Sequence, residues 1–463
     1  MHLHGNRRRG HPINGTLRNS CRQRGADASA TLSLLPGFDP QLAPDLEDLV
    51  RIPTHIKTML LLSLVALALG APAAQAAPGM EIGLQDDDVF VHRSYFTPEK
   101  GYAAAEQLGV SRLRINVYWA RAVGASGQDP SQPNPIPYDW APYDRAINEA
   151  AARGIRVQLT LTGQAPAWAT GNRKASNFRP NVKKFHQFAA DAAAHFKGRV
   201  DRYSIWNEPN WSSWLLPHRF AAKTYRDLYT GAYAAIKRND PAAAVLIGEL
   251  APIGRRGISD PPLAFLRNLA CVGPDYKREG GCAPLKADGF AHHPYTLDFG
   301  PYFPGLVQDD VTTGSLVRLT SALTKVARSK ALSTPSGQPL DLFLTEYGFF
   351  ARGKRSFPDA ERASNLVRGF AIAQRNPRVR EMVQFMLVQS PPQYPWDTSL
   401  ISQGGIPSPA FMALSGWLQQ AVAAGQIKVA GPLNLPESPD GPPPPPQPPG
   451  ANPGTPPPAP IPR

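Results

Sequence analysis

"RYSIWNEPNW", residues 202–211, ends a hydrophobic, strand-like run on Asn207-Glu208-Pro209, with Trp206 and Trp211 on either side. A carboxylate set between tryptophans at the end of a strand is costly unless it is paired or used. The run, Arg202 to Asn207, is also one of a series. Seven further β-rich runs alternate with helical stretches: Met80 to Gln85, Ser111 to Trp119, Arg156 to Thr162, Ala244 to Glu249, Gly289 to Tyr295, Leu340 to Tyr347 and Glu381 to Gln389. Alternation of this kind argues for a parallel α/β architecture. Eight strand–helix units over residues 77–430 are what a single-domain (β/α)8 barrel needs. A doubly wound open sheet is the alternative, but it usually carries a glycine-rich phosphate loop after its first strand, and none is present.

The helices between these runs have recognisable ends. Thr97-Pro98 opens one and Gly109 closes it; Asp139 and Gly154 bracket the next. Asn181 and Gly198 bracket a third, whose Phe185, Phe188, Ala192 and Phe196 form an apolar stripe. Within the second strand, Leu113, Ile115 and Val117 are expected to face the helices, and Arg114, Asn116 and Tyr118 the lumen. An arginine in a barrel lumen requires a carboxylate partner.

The flanks read differently. "MLLLSLVALALGAPAAQA", residues 59–76, pairs a short apolar stretch with an A-x-A cleavage pattern, preceded by Arg51 and Lys57. Residues 1–76 are therefore expected to be an extension plus a signal peptide, with the true start near Val50 or Met59. Residues 431–463 are proline-rich and are expected to form a disordered tail. Export agrees with the cysteines: Cys21 precedes the signal, and Cys271 and Cys282 are expected to form one local disulfide. The predicted location is secreted or associated with the cell envelope.

The formal net charge of +13 is spread along the chain, with one tight block at Arg7-Arg8-Arg9. No basic stripe interleaved with aromatics points to nucleic acid. No cysteine or histidine spacing suits a metal, and no cofactor is expected. His292-His293 is read as lining a ligand site, and Asp86-Asp87-Asp88 as a solvated loop at its edge.

Chemistry in such a barrel belongs at the C-terminal ends of the strands. Glu208 ends the fourth strand and Glu346, in "LFLTEYGFF", ends the seventh, so the two carboxylates can face each other across the mouth. Such a pair is the minimum equipment for cleaving a glycosidic bond, one carboxyl protonated and the other ionised. Trp168, Trp206, Trp211 and Trp214 offer flat faces for sugar rings. Glu249, at the end of the fifth strand, is a rival to either glutamate and a candidate for orienting substrate or a loop.

"WNEPN" and "TEYG" resemble the signature of the clan of retaining (β/α)8-barrel glycoside hydrolases that includes the cellulase-like family 5 and the xylosidase- and iduronidase-like family 39. The resemblance implies that Glu208 is the acid/base and Glu346 the nucleophile. "RLRINVYW" is similar to the family 5 second strand, which implies that Arg114 contacts the nucleophile. It further implies that Asn207 binds the sugar 2-hydroxyl and that Tyr295, in "HHPY", hydrogen-bonds Glu346, with His293 beside them. Two positions depart from the cellulase-like pattern. The third strand is followed by "TGQAPAWA", which contains Trp168 and lacks the histidine; the eighth strand lacks the tryptophan that floors the sugar subsite, and the nearest substitute is Trp396.

The resulting expectation is an exported retaining glycoside hydrolase acting on a β-linked glycoside or polysaccharide. A non-catalytic carbohydrate-binding or envelope protein on a degenerate barrel and a transglycosidase are the alternatives.

Overall fold

The computed structural model describes residues 79–124, 127–129, 138–431, 433–436 and 439. The expected extension, signal peptide and most of the proline-rich tail lie outside the described residues. Among the described residues, no helix is long and apolar enough to cross a membrane.

Eight parallel strands form the barrel: β1 (Met80–Gln85), β2 (Arg112–Tyr118), β3 (Arg156–Thr162), β4 (Arg202–Ile205), β5 (Ala244–Leu250), β6 (Gly289–His292), β7 (Leu342–Tyr347) and β8 (Val379–Phe385). Each pairs with the next in chain order, and β8 pairs with β1 from Glu81↔Glu381 to Gln85↔Phe385, which closes the sheet. A short strand, Ile427–Lys428, adds to the outer edge of β1 at Met80 and Glu81. The helices α1 (Pro98–Gln107), α2 (Ala141–Ala151), α3 (Val182–His195), α4 (Ala221–Asn239), α5 (Pro262–Ala270), α6 (Leu316–Arg328), α7 (Asp359–Arg375) and α8 (Pro409–Ala423) connect successive strands or follow the last. The expected (β/α)8 barrel is the observed fold.

Local sequence explains the joints. Asn181 accepts a hydrogen bond from the Lys184 amide (3.1 Å) and caps α3. Thr97 precedes the first-turn proline of α1, and Gly109 leaves that helix with φ +67°. Asp139 accepts from the Ala141 amide (3.2 Å), but the cap of α2 falls on Trp140, one residue later than expected. Phe185, Phe188, Ala192 and Phe196 are fully buried, and Trp119, Trp140 and Trp206 join the phenylalanines in one aromatic cluster. Strand β8 runs earlier than expected: Val388 bridges to Ile401 instead of extending it.

The lumen is charged. At its lower end, Arg112 donates from Nε and Nη2 to both oxygens of Glu81 (3.0 Å each) and from Nη1 to Asp201 (2.6 Å). Arg202 spans Glu81 (2.8 Å) and Glu381 (3.2 Å). Shared, multiply hydrogen-bonded ions satisfy one another, whereas removing one strands the rest. Burial alone would raise the Glu81 carboxyl, but the Arg202 and Arg112 charges prevail and hold it at about 2.

A carboxyl held below its ordinary 4.5 contributes stability that is fully present above that pH and is lost as pH falls toward about 2. Glu81→Gln is therefore expected to cost about 3–5 kcal/mol at neutral pH. Urea unfolding at neutral and acid pH is expected to show that penalty shrinking below pH 4.5; a pH-independent penalty would contradict the assignment.

Candidate active site

The upper end of the lumen is organised around Arg114. Its side chain, fully buried on β2, donates from Nη1 to Glu346 Oε1 (2.6 Å) and to Gln85, and from Nη2 to Asn207 Oδ1 (2.8 Å) and Glu249 Oε2 (3.0 Å). Residues from β1, β5 and β7 and from the turn after β4 thus converge on one planar cation, whose fork suits several acceptors at once.

The carboxylates reach it because the backbone turns sharply. Strand β4 stops at Ile205, two residues before the expected end. Trp206 then adopts φ +65° and Glu208 φ +40°, which breaks the strict alternation that would send Asn207 and Glu208 to opposite faces. The Glu208 amide donates to the Glu249 carbonyl (2.9 Å) and fixes the turn. On β5 the register with β6 jumps from Gly248↔Ala291 to Leu250↔His292, and Glu249, at φ +52°, bulges toward Arg114. Gly248 makes the bulge possible: its φ is +121°, and a Cβ there would lie 2.4 Å from the Ala291 carbonyl oxygen.

His293 completes the centre. Its Nδ1 lies 3.0 Å from Glu208 Oε1 and 3.6 Å from Glu346 Oε2, and its Nε2 lies 2.7 Å from Glu249 Oε2. Tyr295 donates its hydroxyl to Glu346 Oε2 (3.3 Å), and Thr345 donates to Glu249 Oε2 (2.7 Å). Among the described residues, Glu208, His293 and Glu346 are the one trio of possible metal ligands, with ligand atoms within 4.8 Å of one another. Both nitrogens of His293 are already engaged by carboxylates, so a metal would have to displace a charge-assisted bond.

Environment divides the three glutamates. Side-chain exposure is 11% for Glu208 and for Glu346, but 0% for Glu249, so only the first two can meet a ligand. Burial pushes the Glu208 carboxyl up, with the Glu346 charge adding to the shift and His293 opposing it. Burial would also raise Glu249, but Arg114 and His293 outweigh it and hold Glu249 at about 2. Burial would lower His293, yet the surrounding carboxylates, Glu346 foremost, raise it to about 9.

Of the tryptophans, Trp396 packs on Tyr295, the partner of Glu346. It is half-buried and stands edge-on to Tyr295 (5.4 Å) and to Phe350 (4.9 Å). Trp211 is half-buried one turn beyond Glu208, its amide donating to the Glu208 carbonyl (2.8 Å). Trp168 lies at the margin of the aromatic cluster, edge-on to Trp119 (5.5 Å), with its indole donating to the Gly127 carbonyl (3.0 Å). Trp206 is wholly buried, its indole donating to the Trp214 carbonyl (2.7 Å), and offers no face to a ligand. The Asp86–Asp88 stretch is not a solvated loop. Asp86 is buried and accepts from the Leu387 and Val388 amides (3.2 and 2.9 Å), tying β1 to the chain after β8, and burial raises it to about 8. His292 turns from the centre and hydrogen-bonds the Val311 carbonyl (2.9 Å). Gln85 and Thr345 were not foreseen in the site; their one signal is polarity at or near a strand end. Away from the site, Cys271 and Cys282 form the expected disulfide.

No family model and no curated protein sequence matches the chain. Solved structures do. A family 39 glycoside hydrolase from the gut symbiont Bacteroides cellulosilyticus WH2 superposes with a TM-score of 0.53 at 18% identity, covering 74% of this chain and 64% of that one. A glucosidase from Croceicoccus marinus gives a TM-score of 0.53 at 14% identity, covering 75% and 69%. The chain thus spans somewhat less than two thirds of the first of these, and at these identities the likeness is one of fold.

Because Glu249 depends on the bulge, Gly248→Ala is expected to destabilise the protein by at least about 1–3 kcal/mol, beyond which the contact with the Ala291 carbonyl adds. Chemical denaturation checks this; an unchanged midpoint would show that the bulge does not need glycine.

Proposed function

We propose that the protein is a retaining glycoside hydrolase, with Glu346 as nucleophile and Glu208 as general acid/base, acting on a β-linked glycoside or polysaccharide. The observation that carries this reading is the pair itself: two slightly exposed carboxyl groups, with oxygens within 4.8 Å, at the C-terminal mouth of a (β/α)8 barrel. Retaining enzymes need about 5–5.5 Å between their carboxyl groups, whereas inverting enzymes leave roughly 6.5–9.5 Å for a water.

The surroundings divide the work. Glu346 has Arg114 on one oxygen and Tyr295 on the other, partners that suit an anion aimed at an anomeric carbon. Burial favours the protonated form of Glu208, and with His293 on Oε1 its Oε2 is left to carry the proton toward the leaving oxygen. In the first step Glu346 bonds to the anomeric carbon as the leaving group departs with the Glu208 proton. In the second, Glu208 takes a proton from water, the resulting hydroxide attacks, and Glu346 is released. Asn207, held by Arg114, is placed to meet the sugar 2-hydroxyl, while Trp396 beside Tyr295 and Trp211 beyond Glu208 supply faces for rings on either side. Arg114 and His293, which have no exposed side-chain surface, serve the proposed binding set by holding Glu346, Asn207 and Glu208, and Trp168 completes it. The fold likeness to glycoside hydrolases supports the reaction class, and the disulfide supports an exported protein.

A panel of activated 2-deoxy-2-fluoro glycosides tests the proposal, with peptide mass spectrometry reporting both the sugar captured and the residue carrying it. The label is expected on Glu346, and a label elsewhere sinks the assignment. Glu346→Ala is expected to fold and lose turnover. Glu208→Ala is expected to lose roughly a hundred- to ten-thousand-fold on glycosides with poor leaving groups, and much less on those whose leaving group needs no proton.

A further inference from the structure

The three carboxylates and His293 form a chain: Glu346 and Glu208 both face His293 Nδ1, and Glu249 holds Nε2. Glu249 has no exposed side-chain surface, so it touches no substrate. We propose that Glu249 is a positioning residue that fixes His293 as a double donor, its Nδ1–H set between the two catalytic carboxylates so that it follows their negative charge from one to the other. The proposal rests on the retaining hydrolase reading and adds a role that this reading leaves unassigned.

The charge does move. Before reaction Glu346 is the anion and Glu208 carries the proton. Once Glu346 has become the glycosyl ester and Glu208 has given its proton to the leaving oxygen, Glu208 is the anion. Water's proton then returns to Glu208 and its oxygen to the sugar, and the charge returns to Glu346. The pair holds one negative charge throughout, at alternating ends, 3.0 and 3.6 Å from the same ring nitrogen. A fixed cation between two such positions meets the charge at either end without rearranging, and loses most by its absence in the step that needs the charge on Glu208.

The groups facing His293 agree with a lasting positive charge. Glu208 approaches from the turn after β4, Glu249 from β5 and Glu346 from β7, and together they outweigh the burial that would otherwise strip the proton. Arg114, from β2, is spent on Glu346 and Glu249. On its own strand His292 is neutral, lowered to about 3 mainly by burial, and Tyr295 stays protonated for the same reason. Thr345 and Arg114 hold Glu249 Oε2 against Nε2, so the carboxylate cannot swing away.

Two measurements test this, one independent of turnover. With isotope-labelled histidine, and His293 assigned by the signal lost in His293→Gln, the wild-type ring is expected to keep both protons up to about pH 9. In Glu249→Gln it is expected to lose one at a lower pH than in the wild type, and in Glu249→Asp, which keeps the charge, to retain it. Kinetically, on a glycoside whose leaving group needs no proton, Glu249→Gln is expected to form the ester at a near wild-type rate. Breakdown of that ester, which needs anionic Glu208, is expected to slow roughly ten- to a hundred-fold, the scale of one charge-assisted bond. The alkaline limb of kcat/KM on a poor leaving group is expected to move to higher pH, since Glu208 no longer faces a cation. A residue that merely kept the site in shape would slow both half-reactions together and leave the limb in place, and that result overturns the proposal. So does an unchanged His293 titration. A shifted titration in a protein that no fluoro-glycoside labels overturns the hydrolase reading instead, and the charge-following role with it.

Discussion

The site depends on Arg114. A guanidinium sealed inside a barrel is tolerable only if its donors are occupied, and here they are divided among Glu346, Glu249, Asn207 and Gln85. The need to satisfy that cation draws strand ends from around the barrel to one point. The cation in turn keeps Glu249 ionised in a place that would otherwise neutralise it. The group that makes the upper lumen foldable also sets Glu346 and Asn207 beside Glu208 at the mouth.

A second charged layer lies below it, where Arg112 and Arg202 are shared among Glu81, Asp201 and Glu381. The contrast is one of pairing. In the lower layer the exposed carboxylate, Asp201, is taken up by Arg112 and Arg156, whereas in the upper layer Glu208 keeps a small exposed edge with only His293 beside it. A lumen lined by ions in both layers is stiff in a way an aliphatic one is not, because displacing any member strands several others.

Much of this was legible in sequence because it follows from period and placement. The alternating runs gave eight strands, and the inward position of Arg114 demanded carboxylates that the strand ends could supply. What could not be read was backbone geometry. The left-handed residues Trp206, Glu208 and Glu249 are ordinary letters in the sequence, and nothing in "IGEL" announces a bulge until Gly248 is seen against the Ala291 carbonyl. Trp206 was legible as either core or sugar platform but not as which, because its direction depends on the same turn. Asp86 was misread for a related reason: three consecutive aspartates suggest solvent, yet the first is consumed in tying two amides after β8.

The short strand Ile427–Lys428 lies beside the start of β1, so the folded unit opens and closes at the same rim. That rim is at the N-terminal ends of the strands, and the carboxylates are at the other end. Force applied at Met80 or at Ile427 would therefore pull on the floor of the barrel and bypass the mouth. A fusion partner, a surface linkage or an immobilising tag joined at either residue would leave the mouth pointing away from its support.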